Sequence, residues 1–140
     1  MRSVTNGCVR RCIVGFAACV LGGIVAADAA ERGFPYNSEL IMDAKPMRGS
    51  KRVPILTFDR AGKMQIDLWC KRGEGQASIT NGVLTITVGT MTDEAGCSTE
   101  RTAADDEMLA ALAAVTGIAL DGDIVTLTGP KPLRFRAATN

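Results

Sequence analysis

The dipeptide Asn81-Gly82 sits between two short alternating runs, and it constrains the fold more than any other feature of the chain. A type I′ turn needs positive φ at both central residues, which asparagine and glycine tolerate best. Before the turn, Gln76–Thr80 places Ala77 and Ile79 on one face. After it, Val83–Gly89 places Leu84, Ile86 and Val88 on that face, with Thr85 and Thr87 on the other. A period of two marks a half-buried strand. The pair reads as an antiparallel hairpin.

The same period recurs along the chain. In Lys63–Cys70, the residues Met64, Ile66, Leu68 and Cys70 share one face, while Lys63, Gln65 and Asp67 share the other. The turn Asp59-Arg60-Ala61-Gly62 joins this run to Val53–Asp59, in which Leu56 and Phe58 point one way. A weak first strand, Ser38–Ala44, precedes the basic loop Lys45–Arg52. Lys71–Gly75 reads as a charged loop, and Thr90–Arg101 as an irregular connection carrying Cys97. A closing set of strands comprises Ile118–Leu120, Ile124–Thr128 and Leu133–Arg136, with Asp121-Gly122-Asp123 as the first turn.

One segment has a different period. Ala104, Met108, Leu109, Leu112 and Val115 recur at helical spacing. Thr102 is the expected N-cap, with Asp105 completing a short capping box and Gly117 stopping the helix. The expected fold class is α+β: a curled antiparallel sheet of short strands with one helix late in the chain. The expected core is Phe58, Met64, Ile66, Leu68, Leu84, Ile86, Val88, Leu109, Leu112, Val125, Leu127 and Phe135, with Trp69 packed inside.

The first residues follow another logic. Arg2, Arg10 and Arg11 precede an uncharged apolar run, Cys12–Ala27, and then Ala27-Asp28-Ala29. That is the pattern of a secretory signal peptide over residues 1–29, cleaved after Ala29. Residues 30–37 would be an unpaired lead-in, and residues 38–140 the domain. A retained membrane anchor is the first alternative, although about 16 apolar residues fall short of the roughly 20 that a spanning helix needs. Lipidation at Cys19 is the second. The expected location is therefore periplasmic or secreted, with no stable membrane insertion after cleavage.

Export changes the accounting. Residues 30–140 carry 13 Lys and Arg against 14 Asp and Glu, so net charge implies neither nucleic acid nor an anionic membrane as partner. Only Cys70 and Cys97 remain after cleavage. Two cysteines in an oxidising compartment most simply form one disulfide.

Histidine is absent, which removes Ser-His-Asp and Cys-His catalysis and most zinc sites. Asp105, Asp106 and Glu107 point in different directions on a helix and do not converge on an ion. The reading for Asp121-Gly122-Asp123 is a plain turn. Arg48, Lys51, Arg52, Arg60 and Lys63 would form a basic patch only if two loops met; a solvated surface is the expectation, as it is for Arg134 and Arg136. No catalytic, cofactor or metal residue is expected. A carboxylate-based glycan hydrolase needs two acids facing across a cleft, and the acids here fall in turns and a helix cap.

The order of these features resembles the META domain family, the HslJ-like bacterial envelope and secreted proteins. The likeness runs from the strand ending in Cys70 through Gly75 and Asn81-Gly82-Val83-Leu84-Thr85-Ile86 to Thr92 and Cys97. It continues through Leu109, Leu112 and Val115, then Asp121-Gly122-Asp123 with Val125 and Leu127, and ends at Leu133-Arg134-Phe135. It covers roughly residues 38–137. Trp69-Cys70-Lys71 stands where the family often has Gly-Cys-Asn, and Leu40 or Ile41 stands where it usually opens with Trp. The resemblance implies an envelope protein with no known catalytic residues, and members are linked to stress responses. The resulting expectation is a non-enzymatic, disulfide-stapled module that binds a protein or envelope component, or stabilises the envelope under stress. The alternative is a small periplasmic inhibitor or ligand carrier using the mouth of the curled sheet.

Overall fold

A computed structural model describes residues 33–138. The expected signal peptide, its cleavage point, Cys19 and the start of the lead-in lie outside the described residues. Eight strands form one sheet: β1 (Glu39–Met42), β2 (Ile55–Phe58), β3 (Lys63–Asp67), β4 (Lys71–Thr80), β5 (Val83–Asp93), β6 (Gly117–Asp121), β7 (Ile124–Thr128) and β8 (Leu133–Ala137). One helix, α1 (Thr99–Ala113), joins β5 to β6. The strand order is β5-β4-β3-β2-β1-β8-β7-β6, and every neighbouring pair is antiparallel. Among the described residues the fold is thus a curled antiparallel sheet with one helix packed on it, and mostly sheet.

The ends of the sheet approach one another: a Cβ on Gly117 of β6 would lie 3.7 Å from the carbonyl oxygen of Gly82, beside β5. Helix α1 packs against β5 and contributes Met108, Ala111 and Leu112 to a core that also holds Leu40, Leu56, Phe58, Met64, Ile66, Leu84, Leu127 and Phe135. The inside of the curl is therefore filled with side chains. Two residues of the expected core, Val88 and Leu109, are only half-buried. Val88 faces the register shift at Gly73/Gly75, and Leu109 sits beside the buried stripe of the helix rather than on it.

Several boundaries differ from the sequence reading for physical reasons. Lys71–Gly75 is the first half of β4, paired with β3 on one side and β5 on the other. Glycines occupy its crowded inward positions: a Cβ on Gly73 would run into the Thr90 carbonyl oxygen, and one on Gly75 would come within 2.8 Å of the Thr87 oxygen. Strand β5 likewise continues to Asp93. The run Lys63–Cys70 stops pairing at Asp67, so Cys70 lies in the connection after β3. Helix α1 begins earlier than expected, capped by Ser98, whose hydroxyl accepts from the Arg101 N–H at 3.4 Å. It ends at Ala113, and Gly117 opens β6 instead of capping the helix. Phe34 is buried in the core and the Asn37 N–H donates to the Phe58 carbonyl, so this part of the expected lead-in belongs to the fold. The Asn81-Gly82 turn has φ of 52° and 76°, as the type I′ reading requires.

Candidate functional site

The short connection from β3 to β4, Leu68–Cys70, is held from several directions. Cys70 is bonded to Cys97, with S–S 2.10 Å and Cα atoms 5.9 Å apart. The Glu94 N–H donates to the Cys70 carbonyl at 2.7 Å. Above all, the fully buried carboxylate of Asp105 accepts from three successive backbone N–H groups: Trp69 at 3.1 Å, Cys70 at 2.8 Å and Lys71 at 2.7 Å. Burial pushes the Asp105 carboxyl above the usual carboxylate range, against the pull of those three donors and the Lys71 ammonium.

Asp105 does not play the capping role its position predicts: Ser98 caps the helix, and Asp105 holds the β3–β4 connection instead. The signal was present: Asp105, Met108, Leu112 and Val115 follow spacings of 3, 4 and 3, which places the aspartate on the apolar stripe. Its neighbours diverge as expected, Asp106 to Lys71 at 2.6 Å and Glu107 to Lys131 at 3.0 Å. Trp69 is buried, as expected, and its indole N–H meets no acceptor among the described residues.

Beside this connection, the outer face of β1–β5 forms a groove of about 620 Å³. Most of its residues come from two cross-strand rows. One row is Glu39, Thr57, Gln65 and Glu74; the other is Ile55, Asp67, Arg72 and Thr92. At one end, two arginines and two carboxylates close a ring. Arg52 donates to both Glu94 oxygens at 2.8 and 2.9 Å and to Asp67 at 2.6 Å. Arg72 reaches the same two acids at 3.2 and 3.4 Å. The hydrogen bonds from Arg52 hold Glu94 below the usual carboxylate range. Glu74 pairs with Lys63 at 2.8 Å.

The expectation that the acids fall only in turns and a helix cap is therefore too narrow. Asp67 and Glu74 are on strands, and with Glu39 and Glu94 they line a common recess. What sequence reasoning lacked was the register that sets residues so far apart side by side. The basic set Arg48, Lys51, Arg52, Arg60 and Lys63 is dispersed: Arg52 and Lys63 are ion-paired, and Arg60 lies 5.1 Å from the Tyr36 ring centroid. Arg134 and Arg136 are exposed as expected, and each holds an aspartate, Asp43 at 3.2 Å and Asp123 at 2.8 Å. A second, smaller recess of about 220 Å³ lies at the β2–β3 hairpin among Phe34, Tyr36, Phe58 and Arg60.

A curled antiparallel sheet closed by one helix and stapled at the β3–β4 connection defines a small disulfide-bonded α+β class. The chain belongs to the META domain family, which matches residues 34–139. Two solved structures share the fold. One NMR structure is 19% identical, with a TM-score of 0.57, covering 71% of this chain and 87% of its own. Another, of a protein from Burkholderia xenovorans, is 18% identical, with a TM-score of 0.61, covering 81% of this chain and 89% of its own. No curated protein matches the chain.

Proposed function

We propose that the chain is an exported, non-catalytic envelope module that binds a protein through the groove on the outer face of β1–β5. The groove carries this reading: it sets the half-buried Ile55 among neutral hydrogen-bonding groups and fixed charges, a lining too polar for an apolar small-molecule pocket and suited to hydrogen bonds and ion pairs with a protein surface. The arginine ring argues against acid catalysis. A general acid needs a raised pKa, whereas Glu94 is pulled down by Arg52. The filled interior of the curl favours the outer groove over a carrier cavity at its mouth. The leader, the small-residue motif at Ala27–Ala29 and the disulfide support export.

The test uses a photo-crosslinking residue at Gln65, in the groove, or at Glu107, on the helix surface. A protein adduct from Gln65 alone, in cells where the recovered chain begins at Ala30, is the expected result. Equal adducts from both positions would defeat groove binding. A chain beginning at Met1, or lipidated at Cys19, would defeat the processing step.

A further inference from the structure

Net charge hides an uneven distribution. Twelve lysines and arginines lie among the described residues. Seven of them sit in ion pairs. Arg101 donates to the Ser98 hydroxyl, and Arg60 lies over Tyr36. The three that remain, Lys45, Arg48 and Lys51, are all exposed and all belong to the connection between β1 and β2.

That connection is built to present them. The Ser50 N–H donates to the Met47 carbonyl at 3.0 Å, and Gly49 has φ 76°, so Arg48 occupies the tip of a tight turn. The Arg52 N–H donates to the Ser50 hydroxyl at 3.1 Å, while its guanidinium is clamped by Asp67 and Glu94. At the other side, the Asp43 N–H donates to the Arg134 carbonyl at 3.0 Å. The flanking acids are already engaged, Asp43 by Arg134 and both Asp67 and Glu94 by Arg52. Pro46 and the half-buried Met47 stand between the free cations.

We propose that the Lys45–Lys51 turn is a peripheral docking element for an anionic phospholipid surface. The three free cations meet headgroup phosphates, and Pro46 and Met47 lie at the boundary with the acyl region. Charge complementarity supports a lipid surface, because a planar array of phosphates can engage three cations on one tip at once. Each basic residue near such a surface raises affinity about fivefold, and salt screens the effect. Lys45, Arg48 and Lys51 do not line the protein-binding groove.

The test compares the purified full chain, at whatever N-terminus it carries, with the variant K45Q/R48Q/K51Q. Sedimentation uses vesicles of phosphatidylcholine alone or with phosphatidylglycerol. The expected result is binding that prefers the anionic vesicles, falls on the order of 100-fold in the variant, and weakens with added salt. A control, K63Q/K131Q/R136Q, removes three cations paired with Glu74, Glu107 and Asp123, leaves Asp43 engaged by Arg134, and should keep most of the binding. Equal loss in both triple variants would assign the effect to net charge and overturn the proposal. So would equal binding to the two vesicle types, or a turn variant that binds like the parent. Unchanged thermal unfolding and an intact disulfide establish that the turn variant is folded.

Discussion

The carboxylate of Asp105 gathers the N–H groups of Trp69, Cys70 and Lys71, with Oδ2 taking two of them and Oδ1 the third. An asparagine has one acceptor oxygen at that position. It can keep Cys70 and Lys71, but its amide then faces the Trp69 N–H donor to donor. Asp105→Asn should therefore cost about 1–3 kcal/mol, the price of one orphaned buried donor; Asp105→Ala, which strands all three, should cost more. Urea midpoints measure this, and an Asn variant as stable as the parent would show that the Trp69 bond carries no net stability. Glu94 has a different signature. Its folded pKa is depressed by Arg52, so the folded state binds fewer protons than the unfolded chain. Its contribution is complete above the ordinary carboxylate value of about 4.3 and is lost as pH falls through the folded value. The stability difference between the parent and Glu94→Gln should hold steady from pH 8 to 6 and shrink below about pH 4. A difference unchanged at pH 3 would mean that Arg52 does not hold the acid ionised.

Strand β4 shows how an element can hide from its own sequence. Its inward positions are Gly73, Gly75, Ala77 and Ile79, so the period of two is present, but half of it is written in glycine. Glycine contributes nothing to an apolar pattern and usually weakens a strand. Here it answers the close approach of β5, which only the folded pairing reveals. Gly73→Ala should destabilise by about 1–3 kcal/mol, as overpacking does, because its Cβ meets backbone at Thr90. A thermal midpoint equal to the parent's would mean that β5 yields freely. Where local chemistry decides, the sequence was legible: the Asn81-Gly82 hairpin, the β2–β3 pair and the stripe through Met108 and Leu112 stand as read. Partners distant in sequence were not legible. Asp105 finds its donors 34 to 36 residues away, and Arg52 finds Glu94 at a separation of 42. The groove depends on the same long-range register, so its four acids read individually as surface charges.

At the scale of the whole molecule, the Cys70–Cys97 bond closes a separation of 27 residues. On the chain-entropy account, removing it with Cys70→Ser and Cys97→Ser should cost about 3.5 kcal/mol. That is a large share of the roughly 5–15 kcal/mol that holds a domain together. Because Asp105 secures the same connection, its substitution and the loss of the disulfide should not add. A double-mutant cycle measures the coupling, and strict additivity would show that the two restraints act separately. The strand order has a further consequence for the order of assembly. Strand β1 lies in the interior of the sheet, with β2 on one side and β8 on the other. A chain emerging from the ribosome N-terminus first can zip β1–β5 into a meander early, but one flank of β1 then waits for the last strand to be made. Until Leu133–Ala137 arrives, the nascent sheet ends in an open edge at β1, the site at which a neighbouring nascent chain would insert.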